Sequence, residues 1–349
     1  MINAEIHNEI RSYPRPHCYI CGTEGRILYE SVEDRLFGAP GEWNFKKCLN
    51  PGCGLVWLDP MPVEEEISFA YRNYYTHQDT QRFPKTWTRR TYDLVKEGYL
   101  AHKYGYRSAS VATWKKLLGM LICLHPGRRE DVDFSVLYLP VSPQGRLLEL
   151  GCGSGQMLKK MQEMGWHVEG VDFDSFAVEN ARSKGLQVRL GTLEAQNYPD
   201  NHFDVIVMSH FIEHVNDPLE ILRESHRILT PNGKVVLITP NNESLGHKLF
   251  KEAWRGLEVP RHLYLFSLRA LQKLSQEAGF KVKNVKITVR NARGIYLASR
   301  SIQKAARAGK REVFVPDPNI QAEIWQFMQW VMCKMNSNLG EELVFFIGK

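Results

Sequence analysis

The stretch Arg146-Leu147-Leu148-Glu149-Leu150-Gly151-Cys152-Gly153-Ser154-Gly155 constrains this chain more than any other. Leucines at 147, 148 and 150 make a strand, three alternating glycines make a turn, and Gln156–Met164 continues as a helix. Glycine has no Cβ, so such a turn bends sharply and lets the backbone approach a ligand closely. The open amides at the helix start favour polar or anionic ligand groups. The next strand, His167–Val171, runs into Asp172, a carboxylate placed to accept bonds from two ribose hydroxyls. This order points to a nucleoside cofactor.

Spacing narrows the choice. A dinucleotide fingerprint needs G-x-G-x-x-G before its helix, whereas this turn is G-x-G-x-G with Gln156 following. Beyond it the pattern alternates: helix Ser175–Lys184, strand Leu186–Leu190, strand Phe203–Ser209 and helix Asp217–Leu229. A turn at Pro231-Asn-Gly233 then leads into strand Lys234–Thr239. Alternation of this kind predicts a parallel sheet with helices on both faces, whose ligands sit at the carboxyl ends of the strands. Glu149, Gly151, Gly153, Gly155, Asp172, Thr192, Leu193, Ser209 and His210 all fall there and are the candidate cofactor residues. Adenine is expected beside Gly191–Glu194.

The N-terminal region carries Cys18-Tyr-Ile-Cys21-Gly22 and Cys48-Leu-Asn-Pro-Gly-Cys53-Gly54. Each pair makes a knuckle, and the glycine after it leaves amides to bond the sulfurs. Four thiolates from two knuckles suit a closed, structural Zn²⁺ site, so Cys18, Cys21, Cys48 and Cys53 are the expected ligands. Buried thiols or a redox pair are the alternatives. A nucleic-acid-binding finger needs basic residues on a helix between the pairs, but Thr23–Lys47 reads as strands and turns of mixed charge. A zinc ribbon over residues 1–62, with no nucleic-acid partner, is therefore expected.

Residues 63–140 read as a helical, aromatic-rich lid or linker, with Tyr71, Tyr74, Tyr75, Trp87, Tyr92, Tyr99, Tyr104, Tyr106 and Trp114. Aromatics with polar tips suit a substrate pocket; helices packed on the main domain are the equal alternative. Leu117–Leu124 is an apolar run between Lys115-Lys116 and Arg128-Arg129, expected as a core helix, with peripheral membrane contact as the alternative. Elsewhere the composition sets bounds. The 349 residues allow one to three domains, and a net charge of +6 without a long basic run favours anionic partners only slightly. There is no apolar run of about eighteen residues and no signal-peptide pattern at Met1–Arg11. Seven cysteines fit a reducing compartment. The expectation is a cytoplasmic protein.

The glycine turn led by Glu149 resembles motif I of the class I S-adenosylmethionine (SAM) methyltransferases, and residues 146–289 with Glu342–Ile347 resemble that family throughout. The cysteine region and Trp254-Arg-Gly-Leu-Glu-Val-Pro-Arg-His-Leu-Tyr-Leu-Phe-Ser267 are similar to a bacterial subgroup associated with polysaccharide and natural-product biosynthesis, itself similar to the quinone O-methyltransferases. The cysteines are also similar to those of sugar C-methyltransferases. The resemblance implies an α/β fold: a Rossmann-like seven-stranded class I methyltransferase sheet, its last strand (Glu342–Ile347) antiparallel, with a zinc ribbon and helical additions. Residues 141–349 would then be the SAM-binding domain. An insertion at about 291–338 carries a basic helix (Arg300, Lys304, Arg307, Lys310, Arg311) and an aromatic one (Trp325, Phe327, Trp330). It is expected to be a solvated face, or alternatively a homodimer interface or substrate lid.

Methyl transfer to a hydroxyl gains from a general base, and histidine titrates nearest neutrality. His210-Phe-Ile-Glu213-His214 matches the H-x-x-E-H of some zinc proteases, but it stands beside a SAM turn. Four residues apart on a helix would put His210 and His214 on one face. His210 would then line the cofactor, His214 act as base with Glu213 orienting it, and His262 stand in reserve on a loop over the acceptor. In the resembling quinone enzymes acidic and histidine residues here are linked to a divalent cation. The expected reaction is O-methylation of a saccharide, lipid-linked saccharide or natural product. A quinone or phenol acceptor, or a SAM-binding zinc-ribbon module without turnover, are the alternatives.

Overall fold

The computed structural model describes residues 10–72, 87–107, 109–310 and 313–349, without the side chains of residues 87–89. Tyr74, Tyr75, Arg311, the Trp87 side chain and most of Met1–Arg11 therefore lie outside the described residues. Seven strands build one sheet: β1 (Arg146–Leu150), β2 (His167–Asp172), β3 (Val188–Leu190), β4 (Phe203–Ser209), β5 (Leu229–Pro240), β6 (Lys281–Thr288) and β7 (Glu342–Gly348). Their order is β6-β7-β5-β4-β1-β2-β3. β1 is parallel to both β2 and β4, and β2 is parallel to β3. At the far edge, the Asn241 amide bonds the Glu341 carbonyl and the Glu341 amide bonds the Thr288 carbonyl. The ends of β5 and β6 thus meet the start of β7, so β7 runs against both. This is the Rossmann-like class I methyltransferase sheet that the resemblance implied, with its antiparallel last strand. The central strands are covered on both faces: Leu147, Leu148, Ile206 and Val207 are wholly buried, as continuous apolar runs in a parallel sheet require. Pro231–Gly233 falls within the bounds of β5, yet a Cβ on Gly233 would lie 2.7 Å from the Leu229 side chain, so the chain folds back there, as the expected turn requires.

The chain divides into two compact units. One comprises Thr76–Ser209, Glu224–Leu237 and Phe346–Lys349; the other comprises Met1–Tyr75, His210–Arg223 and Ile238–Phe345.

In the first unit, Trp87–Lys103, Thr113–Gly119, a 3-10 turn at Met120–Leu124 and Pro126–Phe134 are helical. Tyr99, Tyr104 and Tyr106 are core residues, packed with Leu100, Ile122, Val132 and Val136. The Tyr99 hydroxyl donates to Asp133 at 2.9 Å, and the Trp166 indole donates to the Tyr106 hydroxyl at 3.1 Å. These aromatics stabilise the helical layer. Leu117–Leu124, expected as a core helix, is instead two short pieces with Leu117, Leu121 and Leu124 turned to solvent. The reason is a glycine contact: a Cβ on Gly98 would meet the Lys115 carbonyl oxygen at 1.9 Å, and one on Gly119 would meet the Tyr99 amide nitrogen at 2.2 Å. Backbones this close bury the glycine edge and turn the leucine edge outward.

In the second unit, Gly25–Val32, Trp43–Cys48 and Val56–Leu58 form an antiparallel sheet. Its fourth strand comes from far along the chain: Tyr264 and Leu265 pair with Trp57 and Val56. The insertion forms helices Ala292–Arg307 and Ile320–Met335, with Trp325 buried and stacked on Tyr296 at 5.1 Å. Phe327, by contrast, is exposed.

Because the Gly98 contact leaves no space for a methyl group, Gly98→Ala is expected to lower unfolding free energy by about 1–3 kcal/mol. Urea denaturation followed by circular dichroism measures it.

Candidate functional site

The glycine turn takes the backbone its residues permit. Gly151, Gly153 and Gly155 have φ of 69°, 51° and 73°, the left-handed region that glycine enters without penalty. A Cβ on Gly155 would strike the Leu186 side chain at 2.4 Å, whereas beside Gly153 the space is open, with nothing within 4 Å. Asp172 is 8% exposed; its carboxylate accepts from the Gly153 amide at 2.8 Å and the Asp174 amide at 3.0 Å. Two amides fix it at the carboxyl end of β2, beside the open face of the turn. Glu149 is buried, and its Oε2 has no hydrogen-bond partner. Burial first, and then the charge of Asp172, push its pKa up to about 8. An orphaned buried carboxyl next to an open, amide-lined turn fits a polar ligand that brings a donor, as the expected cofactor does. Thr192 is exposed, Leu193 buried and Ser209 half-buried.

The histidine cluster lies wholly in the unit that begins again at His210. His210 has φ of 52°, and only Ile212–His214 follows as a 3-10 turn. The expected helix, with His210 and His214 on one face, is therefore absent, because a left-handed residue ends the strand and starts no α-turn. His210 sits between two buried carboxylates, 3.3 Å from Glu213 and 3.1 Å from Glu342. Burial opposes its charge, but the bonds to Glu213 and Glu342 outweigh burial and lift its pKa to about 9. Burial would raise Glu342, yet Arg290 and His210 hold it down to about 2. Glu213 is fully buried, and its Oε2 accepts from the Thr239 hydroxyl at 3.0 Å. Glu213 thus orients His210, not His214 as expected.

His214 Nδ1 lies 2.9 Å from the Arg261 carbonyl and 2.9 Å from the Tyr71 hydroxyl. A carbonyl only accepts, so Nδ1 carries the proton and the Nε2 lone pair is the basic site. Burial lowers the pKa of the ring below 6.5, so it is neutral at pH 7. His262 packs edge-on against it, ring centroids 4.7 Å apart. Its Nδ1 donates to the Gly256 carbonyl at 2.8 Å, and burial pulls its pKa down to about 4. It lies on the loop between Arg255–Leu257 and Tyr264–Leu265, as expected, and at 4% exposure is buried there. Its Nε2 stands 4.0 Å from Glu213 Oε1, the oxygen that also lies 3.3 Å from His210 Nδ1. Ligand atoms of Glu213, His214 and His262 all lie within 4.8 Å of one another.

The four cysteines converge as well. Cys18 and Cys53 sulfurs are 3.7 Å apart, Cys21 and Cys48 sulfurs 3.4 Å, and all four lie within 4.8 Å. A disulfide would need about 2.05 Å. Sulfurs on a tetrahedral zinc, each about 2.3 Å from the metal, stand roughly 3.8 Å apart, so the set fits that ion.

Residues 128–285 match the family described as a methyltransferase domain. The chain carries a class I SAM-dependent methyltransferase domain. The "Ubiquinone biosynthesis O-methyltransferase" of Pseudomonas aeruginosa (strain UCBPP-PA14) is 30% identical over 40% of this chain and 66% of that protein. The protein of the same name from Ruegeria pomeroyi is 35% identical over 33% of this chain and 47% of that protein. The chain thus spans about half to two-thirds of these relatives. A solved SAM-dependent methyltransferase from Mesorhizobium loti aligns at TM-score 0.43 with 17% identity, over 62% of this chain and 97% of that one.

The matched stretch of the methyltransferase domain contains the glycine turn, Asp172 and all three histidines, while the cysteines and the insertion lie outside it. Sequence reasoning missed Tyr71, Arg261 and Glu342 as partners of the histidines, and Thr239 as the partner of Glu213. Tyr71 stood among the aromatics of residues 63–140, and Arg261 and Glu342 in the segments Trp254–Ser267 and Glu342–Ile347, but nothing local tied them to the histidines.

The His210 clamp has a pH consequence. Its pKa is higher in the fold than the ordinary 6.5, so its charge stabilises the protein fully below pH 6.5, and that contribution is lost as pH rises through about 9. The thermal midpoint should fall from pH 6.5 to 9 more steeply in the wild type than in His210→Asn, measured by calorimetry.

Proposed function

We propose that this chain is a SAM-dependent O-methyltransferase acting on a hydroxyl of a saccharide, a lipid-linked saccharide or a natural product. The observation that carries the proposal is His214: half-buried, neutral, with its Nδ1–H committed to the Arg261 carbonyl and its Nε2 left to take a proton. SAM, when bound, supplies a methyl group on a sulfonium, open to in-line displacement. The glycine turn and Asp172 would hold it, with Glu149 receiving a donor. The chain then needs to align an acceptor oxygen, worth about 7–11 kcal/mol, and to remove its proton. The His214 Nε2 takes that proton as the carbon–oxygen bond forms, worth ~10²–10⁴-fold.

His214→Ala should keep SAM affinity and lose at least ~10² in turnover on a panel of saccharide and phenolic acceptors. Asp172→Ala should instead weaken SAM binding by about 1.5–3 kcal/mol, read by calorimetry. The rising limb of the wild-type pH–rate profile should lie below pH 6.5, because the base must be neutral and its pKa is lowered. Near-wild-type turnover in His214→Ala with a large loss in His262→Ala would move the role to His262. SAM binding without transfer to any acceptor would favour the module without turnover. The relatives named for ubiquinone biosynthesis support a phenolic acceptor as much as a saccharide, and the panel decides between them.

A divalent cation is a second reading, favoured by the convergence of Glu213, His214 and His262, whose ligand atoms lie within 4.8 Å of one another. Both rings donate Nδ1–H to backbone carbonyls, the outer hydrogen bond that metal-ligating histidines make. Glu213, His214 and His262 would hold the ion, which would polarise an acceptor oxygen. On this reading turnover rises with added Mg²⁺ or Mn²⁺ in protein that keeps its cysteine-bound zinc, whereas the metal-free base mechanism does not respond.

For the cysteines we infer one structural zinc on Cys18, Cys21, Cys48 and Cys53, supported by the spacing of their sulfurs. The purified chain should carry one equivalent of zinc by elemental analysis and lose it in Cys48→Ser. Less than half an equivalent, unchanged by the substitution, overturns it.

A further inference from the structure

The segment Thr113–Leu124 presents an unusual surface. Trp114, Leu117, Leu121 and Leu124 are 60%, 67%, 52% and 81% exposed. They stand three, four and three residues apart, the spacing of a single helical edge. The Gly98–Gly119 contact holds the opposite edge so tightly that the leucines have no route inward without moving backbone. Along Gly105–Arg128 the charged residues are Arg107, Lys115, Lys116 and Arg128, with no aspartate or glutamate, while Arg129 is paired with Glu130 at 3.8 Å. No helix among the described residues is long and apolar enough to cross a membrane.

We propose that the Trp114–Leu124 edge docks on an anionic lipid bilayer. Charge decides the occupant. A second copy laid on this edge would bring the same cations, Arg107, Lys115 and Arg128 among them, against one another. An anionic leaflet supplies the missing sign and attracts basic residues within a Debye length. The leucines enter the boundary between headgroups and acyl chains, as apolar faces of interfacial helices do. Trp114, amphipathic and with the Lys115 ammonium 5.7 Å from its ring centroid, sits at headgroup level. The surface is independent of the acceptor assigned above and holds whether the methylated molecule is soluble or lipid-linked.

Co-sedimentation of the full chain with vesicles tests this, using phosphatidylcholine alone and phosphatidylcholine with about 30% phosphatidylglycerol. The wild type should pellet with the anionic vesicles at ~0.1 M salt, less at ~0.5 M, and not with phosphatidylcholine alone. Leu117→Ser/Leu124→Ser should lower partitioning at least ~10-fold while leaving the thermal midpoint unchanged, since both side chains are exposed. Lys115→Gln/Lys116→Gln should weaken binding and flatten its salt dependence. Failure to pellet with anionic vesicles at low salt overturns the proposal, as does equal binding by the double-leucine variant. Concentration-dependent dimerisation that the double-leucine variant abolishes would assign the edge to a second copy instead.

Discussion

The guanidinium of Arg261 is wholly buried, and the unit that holds the histidines depends on how that charge is met. It donates to Asp34 at 2.7 Å and to the Ala70 carbonyl at 2.8 Å, with Glu258 3.4 Å away. The Phe37 ring lies 5.0 Å from it. Asp34 in turn accepts from the Leu36, Phe37 and Ala39 amides. Removing one partner from such a pair leaves a naked charge and typically costs about 3–5 kcal/mol. The carbonyl of this same residue receives the His214 Nδ1–H, and the next residue is His262. The tautomer of the proposed base is therefore set by a backbone that an ion pair holds to the cysteine-bearing hairpin. The strand Tyr264–Leu265, paired with Trp57 and Val56, holds the other side of the segment. The cysteine region supports the histidines directly.

Three histidines in one unit occupy different protonation states because their neighbours differ. His210 has two carboxylates and is a cation; His214 and His262 have carbonyls on Nδ1 and burial around the ring, and are neutral. Environments that push like groups apart in pKa are how a fold separates a structural charge from a proton acceptor. His210, next to the end of β4, has the surroundings of the first role, and the proposed mechanism gives His214 the second.

Much of this was legible in the sequence. Runs such as Arg146–Leu150 and Phe203–Ser209 are short and apolar throughout, so only a strand covered on both faces suits them. The glycine turn needs φ values that other residues pay to adopt. Cysteines in two knuckles bring their sulfurs together through local turns and a hairpin. Signals of this kind act over a few residues, and they identified the sheet, the cofactor turn and the cysteine cluster.

Long-range packing decided the rest. Whether His210 and His214 shared a face depended on the backbone at His210, which is bonded to the Ile238 carbonyl across the sheet edge and enters a left-handed turn. Whether Leu117–Leu124 was core or surface depended on Gly98, a residue far enough upstream that no periodicity links the two. The partners of the histidines, Tyr71, Arg261 and Glu342, are separated from them by 47 to 143 positions. By itself the sequence determined a Rossmann-like sheet, a cofactor turn and a cysteine cluster, because these follow from local sterics and periodicity. Only the tertiary structure decided which histidine carries charge and which apolar edge meets solvent, because pKa and burial are set by neighbours that the chain brings together from a distance.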